Sequence, residues 1–265
     1  MNRKHRHLNK EEKKKRSVPF LPNFITTMSL FCGFYSISFS LKGNFYMAAV
    51  LILVAGIIDG LDGRVARATN TTSAFGKEYD SLSDVIAFGV SPAIMAFLWQ
   101  VNQFGRLGFI AAFLFVACGA LRLARFNTDV SGDGSNFTGL PIPMAAGAVS
   151  SIVLLSDVVG SIPSLAVLFA MYVLSFLMVS TVKYPSFKHV SYIKAHPFQL
   201  LVAGLLLLAV VAYKPEVMIF ALAMVFIVGG PIVNAIALAR VRARERKQLM
   251  KGVEHEHVAG KNHHI

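Results

Sequence analysis

Charge is scarce in this chain. Only 15% of its 265 residues are Asp, Glu, Lys or Arg, where a water-soluble domain carries about 25%. Acid is scarcer still, with 14 Asp and Glu against 26 Lys and Arg. That shortage argues against a water-soluble globular domain, and 55% hydrophobic residues place the chain in a bilayer. Cysteine is nearly absent. Cys32 and Cys118 both fall inside apolar runs, so no disulfide framework is implied and both read as small packing residues. Ten-residue segments of alternating polarity are missing, which argues against an outer-membrane barrel. The chain also lacks an internal repeat, a low-complexity linker and a soluble second domain.

What is present is a succession of long apolar runs. A spanning helix needs about 20 apolar residues to cross the hydrocarbon. Eight stretches qualify, at about 20–41, 45–67, 79–99, 106–125, 143–160, 162–181, 197–213 and 215–239. The expected fold is an all-α integral membrane protein of about eight transmembrane helices. Short connections make neighbours antiparallel. A basic tail over 1–18 precedes a transmembrane domain over 19–240, and a basic, histidine-containing tail follows over 241–265. His255, His257, His263 and His264 match no defined zinc spacing, so that tail reads as polar and disordered.

Orientation follows from the basic residues. Eight Lys/Arg precede the first span, and three lie around Arg64–Lys77. Arg122 and Arg125, then Lys183, Lys188 and Lys194, then seven from Arg240 onward fall on the same side. Only Lys42, Arg106 and Lys214 remain opposite. Both termini are therefore expected in the cytoplasm, in a multi-pass protein of the cell membrane. The apolar run after the basic start has full span length and no convincing cleavage site, so an uncleaved first helix is expected. Basic residues beside a span more often meet anionic lipid than nucleic acid, and no nucleic-acid partner is expected.

The scarce acid is not evenly spread. Asp59, Asp62, Glu78, Asp80 and Asp84 crowd into 26 positions. A charge at the bilayer centre costs roughly 2.5–3.5 kcal/mol by insertion scales, so carboxylates persist there mainly to bind something positive. Asp59, Asp62, Gly63, Ala66 and Arg67 share one face of the second helix by their spacing, and Gly76, Asp80 and Asp84 share one face of the third. The connection between them is short, so both stripes can face each other near the cytoplasmic ends. Four carboxylates then converge on one cavity. Oxygen-only ligands suit a hard divalent cation, Mg²⁺, Mn²⁺ or Ca²⁺. Gly63, Ala66 and Gly76 leave room for close approach, and Arg67 offers a planar fork suited to phosphate. The combination points to a phosphate-bearing ligand at a metal site.

The pattern D-x2-D-G-x2-A-R-x8-G-x3-D-x3-D resembles, without substitution, the signature of the CDP-alcohol phosphotransferase family. The resemblance implies a six-helix catalytic core, with Asp59, Asp62 and Asp80 as metal ligands. It makes Asp84 the general base, also able to touch a metal, and puts Gly63 and Arg67 against the CDP moiety. Ser73, between the stripes, is a weaker candidate for the same ligand. Asn23 and Thr26 are similar to an N-x-x-T element that contacts nucleotide in the family. Flanking runs extend the likeness: LPNFITTMSLFCGF from Leu21, FGKEYDSLSDVIAFGVSPA over Phe75–Ala93, ALRLARFN over Ala120–Asn127, FTGLPIPMAAG over Phe137–Gly147 and FLMVSTVKYPSFK over Phe176–Lys188. These resemble the membrane-spanning phosphatidylserine synthases within the family. The implied substrates are CDP-diacylglycerol and L-serine, the implied assembly a homodimer, and the implied site faces the cytoplasm.

Serine carries a carboxylate that glycerol and inositol lack, and an arginine can grip it bidentately. Arg122, Arg125 and Asn127, at the cytoplasmic end of the fourth span, are the candidates. Two other readings compete. The same chemistry could use another acceptor, such as glycerol 3-phosphate or an inositol phosphate, which would favour a more basic pocket. A cation transporter would instead need acids along a path reaching the outer half of the bilayer, and here the intramembrane acids lie only toward the cytoplasmic side.

Overall fold

A computed structural model describes residues 20–69, 73–128, 136–185 and 214–234. Those residues form helices, apart from one three-residue ribbon. Helix α1 covers Phe20–Leu41. It ends at a turn in which Gly43 takes φ 75°, and Asn44 then caps the next helix by accepting from the Met47 N–H at 3.1 Å. Helix α2 is Phe45–Ala68. Helix α3, Ala74–Asp84, starts at the N-cap Ser73, whose hydroxyl accepts from the Gly76 N–H. It runs without a break into a π-helical segment, Val85–Val90, and then into α4, Ser91–Trp99. Together these make one 26-residue apolar span, Ala74–Trp99. A 3₁₀ turn at Val101–Phe104 leads to α5, Arg106–Thr128.

Strand β1, Asn136–Thr138, pairs antiparallel with β2, Lys183–Pro185. Between them lie α6, Ile142–Val159, and α7, Ser164–Val179. Helix α6 follows a tight turn at Gly139, where φ is 81°. The last described helix, α8, is Pro215–Asn234. Buried Tyr184 ties it to the ribbon by stacking on Phe226, with ring centroids 5.4 Å apart.

Among the described residues, six helices are long and apolar enough to cross a membrane, and α7 is a shorter apolar helix. The chain is a multi-pass membrane protein. The count of eight is not confirmed: α7 has 16 residues, and the expected span at 197–213 lies outside the described residues. The third span also starts earlier than its apolar stretch indicates, because the Ser73 cap begins it at Ala74 rather than near residue 79. Both tails, with the calls placed on them, lie outside the described residues too.

Large side chains such as Phe31, Phe34, Phe109, Phe113, Phe169 and Phe176 are exposed on the bundle surface. In water so extensive an apolar surface would be an aggregation hazard; in lipid it is the solvent-matched face. Inside, the helices approach through small residues, as membrane bundles do. Helix α1 packs most extensively on α2, and α5 on α7, while the third span runs through the middle. Its π segment touches α1, α2, α5 and α6. Gly33 permits the crossing with that segment, since a Cβ there would sit 2.5 Å from the Ala87 Cα. The widened π turn begins immediately after Asp84, and such turns recur at functional sites.

Candidate active site

Two acid-bearing helices meet at the site without packing closely on each other. Helices α2 and α3 each lay their backbone against α1 instead, and this leaves a gap across which their aspartates face. Ligand atoms of Asp59, Asp62 and Asp80 all lie within 4.8 Å of one another. Asp84 lies beside Asp59 and Asp80 at the edge of this cluster. The four carboxylates expected from the two stripes therefore do converge. Asp62 and Asp84 are buried, only 7% and 9% exposed.

This cluster fits a hard divalent ion. Metal–oxygen distances of about 2.0–2.6 Å keep any two oxygens on one ion within about 4–5 Å of each other, and the three ligand atoms here meet that limit. Asp80 Oδ1 and Asp84 Oδ1 are buried with no hydrogen-bond partner. Buried carboxylate oxygens are normally paired or bound to a metal. All the donors are oxygen, which selects Mg²⁺, Mn²⁺ or Ca²⁺ over softer ions.

The surrounding candidates separate into distinct environments. Thr26, buried on α1, donates its hydroxyl to Asp62 Oδ2 at 2.8 Å. Asn23, one turn earlier, keeps a buried Nδ2 without a partner. Gly76 lets Asn23 and the Ser73 cap come together, because a Cβ there would lie 3.2 Å from Asn23 Oδ1 and 3.1 Å from Ser73 Oγ. Ser73 itself is engaged as the cap, accepting from Gly76 N–H at 2.9 Å. Gly63 is half-buried on α2. Ala66 and Arg67 occupy helical backbone on the same element, with side chains outside the described residues.

The two arginines of α5 part company. Arg122 is 9% exposed, lies near Asp84, and has a buried Nε with no partner. Arg125 is exposed. Asn127 is half-buried; its Nδ2 donates to Ser81 Oγ at 2.9 Å, while its Oδ1 is buried and unpartnered.

Sequence reasoning missed the residues that join α3 to its neighbours. Ser81 receives Asn127, Lys77 donates to the Asn127 carbonyl at 3.4 Å, and the hydroxyls of Thr27 and Tyr79 share a bond of 2.9 Å. One signal was available. Lys77 and Ser81 each follow a signature residue, so they form a second stripe beside Gly76, Asp80 and Asp84.

Comparisons with known proteins agree with this geometry. Residues 19–177 match the family described as CDP-alcohol phosphatidyltransferase. A Helicobacter pylori protein named CDP-diacylglycerol–serine O-phosphatidyltransferase is 44% identical over 199 residues, covering 73% of this chain and 82% of that one. An archaetidylserine synthase from Methanothermobacter thermautotrophicus is 43% identical over 176 residues, 66% of this chain and 73% of its own. A Bacillus subtilis CDP-diacylglycerol–serine O-phosphatidyltransferase is 35% identical over 169 residues, 64% of this chain and 92% of its own. With the matched region spanning more than half its length and including all four aspartates, the chain belongs to the CDP-alcohol phosphatidyltransferase family.

Proposed function

We propose that this protein transfers the phosphatidyl group of CDP-diacylglycerol to L-serine, giving phosphatidylserine and CMP. One observation carries the reading furthest: a buried, unpartnered Asp84 oxygen beside a three-carboxylate cluster, with the buried Arg122 nearby. The names of the relatives support the same donor and acceptor.

Asp59, Asp62 and Asp80 would hold a divalent ion, Mg²⁺ or Mn²⁺. Bound there, it supplies positive charge against the diphosphate of the nucleotide lipid and the charge developing in the transition state. The chain's own groups do the rest. The planar donor fork of Arg67 suits phosphate, Gly63 stands on the same helix, and Asn23 would meet the nucleotide. Asp84 accepts the proton of the serine hydroxyl as its oxygen attacks the β-phosphorus, the one joined to diacylglycerol. The new serine O–P bond forms while the bond to the bridging oxygen breaks, and CMP leaves with that electron pair. Arg122 holds the serine carboxylate through its free N–H edge, and Asn127 Oδ1 accepts from the serine ammonium. Arg125, exposed on the same helix, serves topology and lipid contact instead.

The acids sit toward the end of the bundle that the basic residues assign to the cytoplasm, where soluble serine and nucleotide arrive while the acyl chains stay in lipid. A homodimer in the cell membrane, with both termini cytoplasmic, completes the reading. Purified chain in lipid with CDP-diacylglycerol, Mn²⁺ and a panel of labelled acceptors tests it. Label should enter lipid from L-serine and not from glycerol 3-phosphate or inositol phosphate. Incorporation of another alcohol in preference to serine overturns the acceptor assignment.

A further inference from the structure

Thr26 is 4% exposed, and its hydroxyl lies 2.8 Å from Asp62 Oδ2 and 3.1 Å from the Pro22 carbonyl. A threonine hydroxyl has one proton to give. The Asp62 oxygen lies at the usual O–H···O length and the Pro22 carbonyl lies beyond it, so the proton goes to Asp62. Helices α1 and α2 are joined at two deeper levels as well, by Ser29 Oγ to the Ala55 carbonyl at 3.0 Å and Ser36 Oγ to the Ala48 carbonyl at 2.8 Å. Those bonds end on backbone oxygens that a helix positions by itself. Only the bond from Thr26 ends on a rotatable side chain, and that side chain belongs to the metal cluster.

We propose that Thr26 is a positioning residue for this cluster: its hydroxyl fixes the rotation of the Asp62 carboxylate so that the remaining lone pairs face Asp59 and Asp80. The inference rests on the reading of Asp62 as a metal ligand. Helix α1 thereby does more than separate α2 from α3. It sets the orientation of one ligand from outside the ligand-bearing helices. The one proton of the hydroxyl is committed to the carboxylate, and Asn23, with its unpartnered Nδ2, remains as the member of the pair with a donor to offer the nucleotide. Threonine suits this role better than serine, because branching at Cβ restricts χ1 in a helix.

The test is Mn²⁺ binding to the full chain in lipid nanodiscs, read by the resonance signal of free Mn²⁺ without substrate. Thr26→Val keeps the shape and removes the donor. It should weaken Mn²⁺ binding about tenfold or more, the usual effect of removing an outer partner of a metal ligand. Thr26→Ser should recover most of that loss. Ser29→Ala breaks a comparable interhelix bond away from the carboxylates and should leave Mn²⁺ affinity unchanged. Should Thr26→Val not fold, Thr26→Ala carries the same prediction. Unchanged affinity in the Thr26 variants, beside a defective Asp62→Asn, overturns the inference and leaves the metal site standing. Normal binding by Asp62→Asn overturns the metal reading beneath it. Loss of nucleotide-lipid affinity with Mn²⁺ binding intact would make Thr26 a nucleotide contact and overturn the positioning role.

Discussion

The two halves of helix α2 serve opposite ends. Its N-terminal half presents Ala48, Ala49, Ile52 and Ala55, all essentially buried, and accepts hydrogen bonds from Ser36 and Ser29 of α1. Its C-terminal half presents Asp59 and Asp62 to a gap. Around that gap Asn23 Nδ2, Asp80 Oδ1, Asp84 Oδ1 and Arg122 Nε are buried without partners. Where α1 and α2 only hold the bundle together, small residues close the interface and these polar contacts are paired. Where α2 faces α3, close packing is given up and polar groups wait for a ligand. A bilayer makes this difference sharp, because an unpaired polar group in hydrocarbon costs several kcal/mol.

Disturbing the two halves separately should therefore give different results. The largest effect belongs to Asp84→Asn, which removes the proton acceptor but not the three-carboxylate cluster. Turnover should fall about 10²–10⁴-fold, the usual contribution of a general base, with Mn²⁺ binding retained; steady-state rates beside a metal titration check this. Asp59→Asn and Asp80→Asn should lose metal and nucleotide-lipid binding together. Next is Arg122→Ala. A hydrogen bond involving a charged group is worth about 1.5–3 kcal/mol, so the serine KM should rise roughly 10–100-fold. Arg125→Ala should leave the serine KM alone. Equal effects at both positions would erase the distinction the fold draws between them.

Away from the carboxylates, effects should appear in stability instead. Gly33→Val forces a side chain against the Ala87 backbone and should cost about 1–3 kcal/mol, the usual range for overpacking. Thermal unfolding in detergent measures that, and the serine KM of the surviving protein should not move. Smallest is Ser36→Ala. Membrane interhelix hydrogen bonds average about 0.6 kcal/mol, so a small shift in melting and unchanged kinetics are expected. A large kinetic defect there would show that the deep interface is coupled to the site.

Much of this site was legible because helical spacing is rigid. Offsets of three and four residues place Asp59 with Asp62 and Asp80 with Asp84 in any helix, and the scarcity of acid elsewhere gives the cluster its meaning. Among the described residues the spans were legible by length, with two exceptions. Helix α7 falls short of a full crossing, and the third span begins at a serine cap within a polar stretch that hydropathy passes over. Other features depend on tertiary contact. Arg122 and Arg125 sit three residues apart, within about 60° around one helix, and composition treats them alike; only packing buries one beside Asp84 and exposes the other. The commitment of Thr26 to Asp62 joins residues 36 positions apart, which no local pattern records. The π turn after Asp84 leaves no mark in apolar residues that would pack equally well in an α-helix.

The central claim is that four converging aspartates move a phosphatidyl group to serine, with Asp84 taking the proton. Its most direct test compares wild type with Asp84→Asn, both loaded with Mn²⁺ and CDP-diacylglycerol, measuring CMP release and lipid-soluble serine in the same reaction. Equal amounts of the two products from wild type, abolished by chelation and nearly lost in Asp84→Asn, is the predicted result. Matched products from Asp84→Asn at the wild-type rate would contradict it.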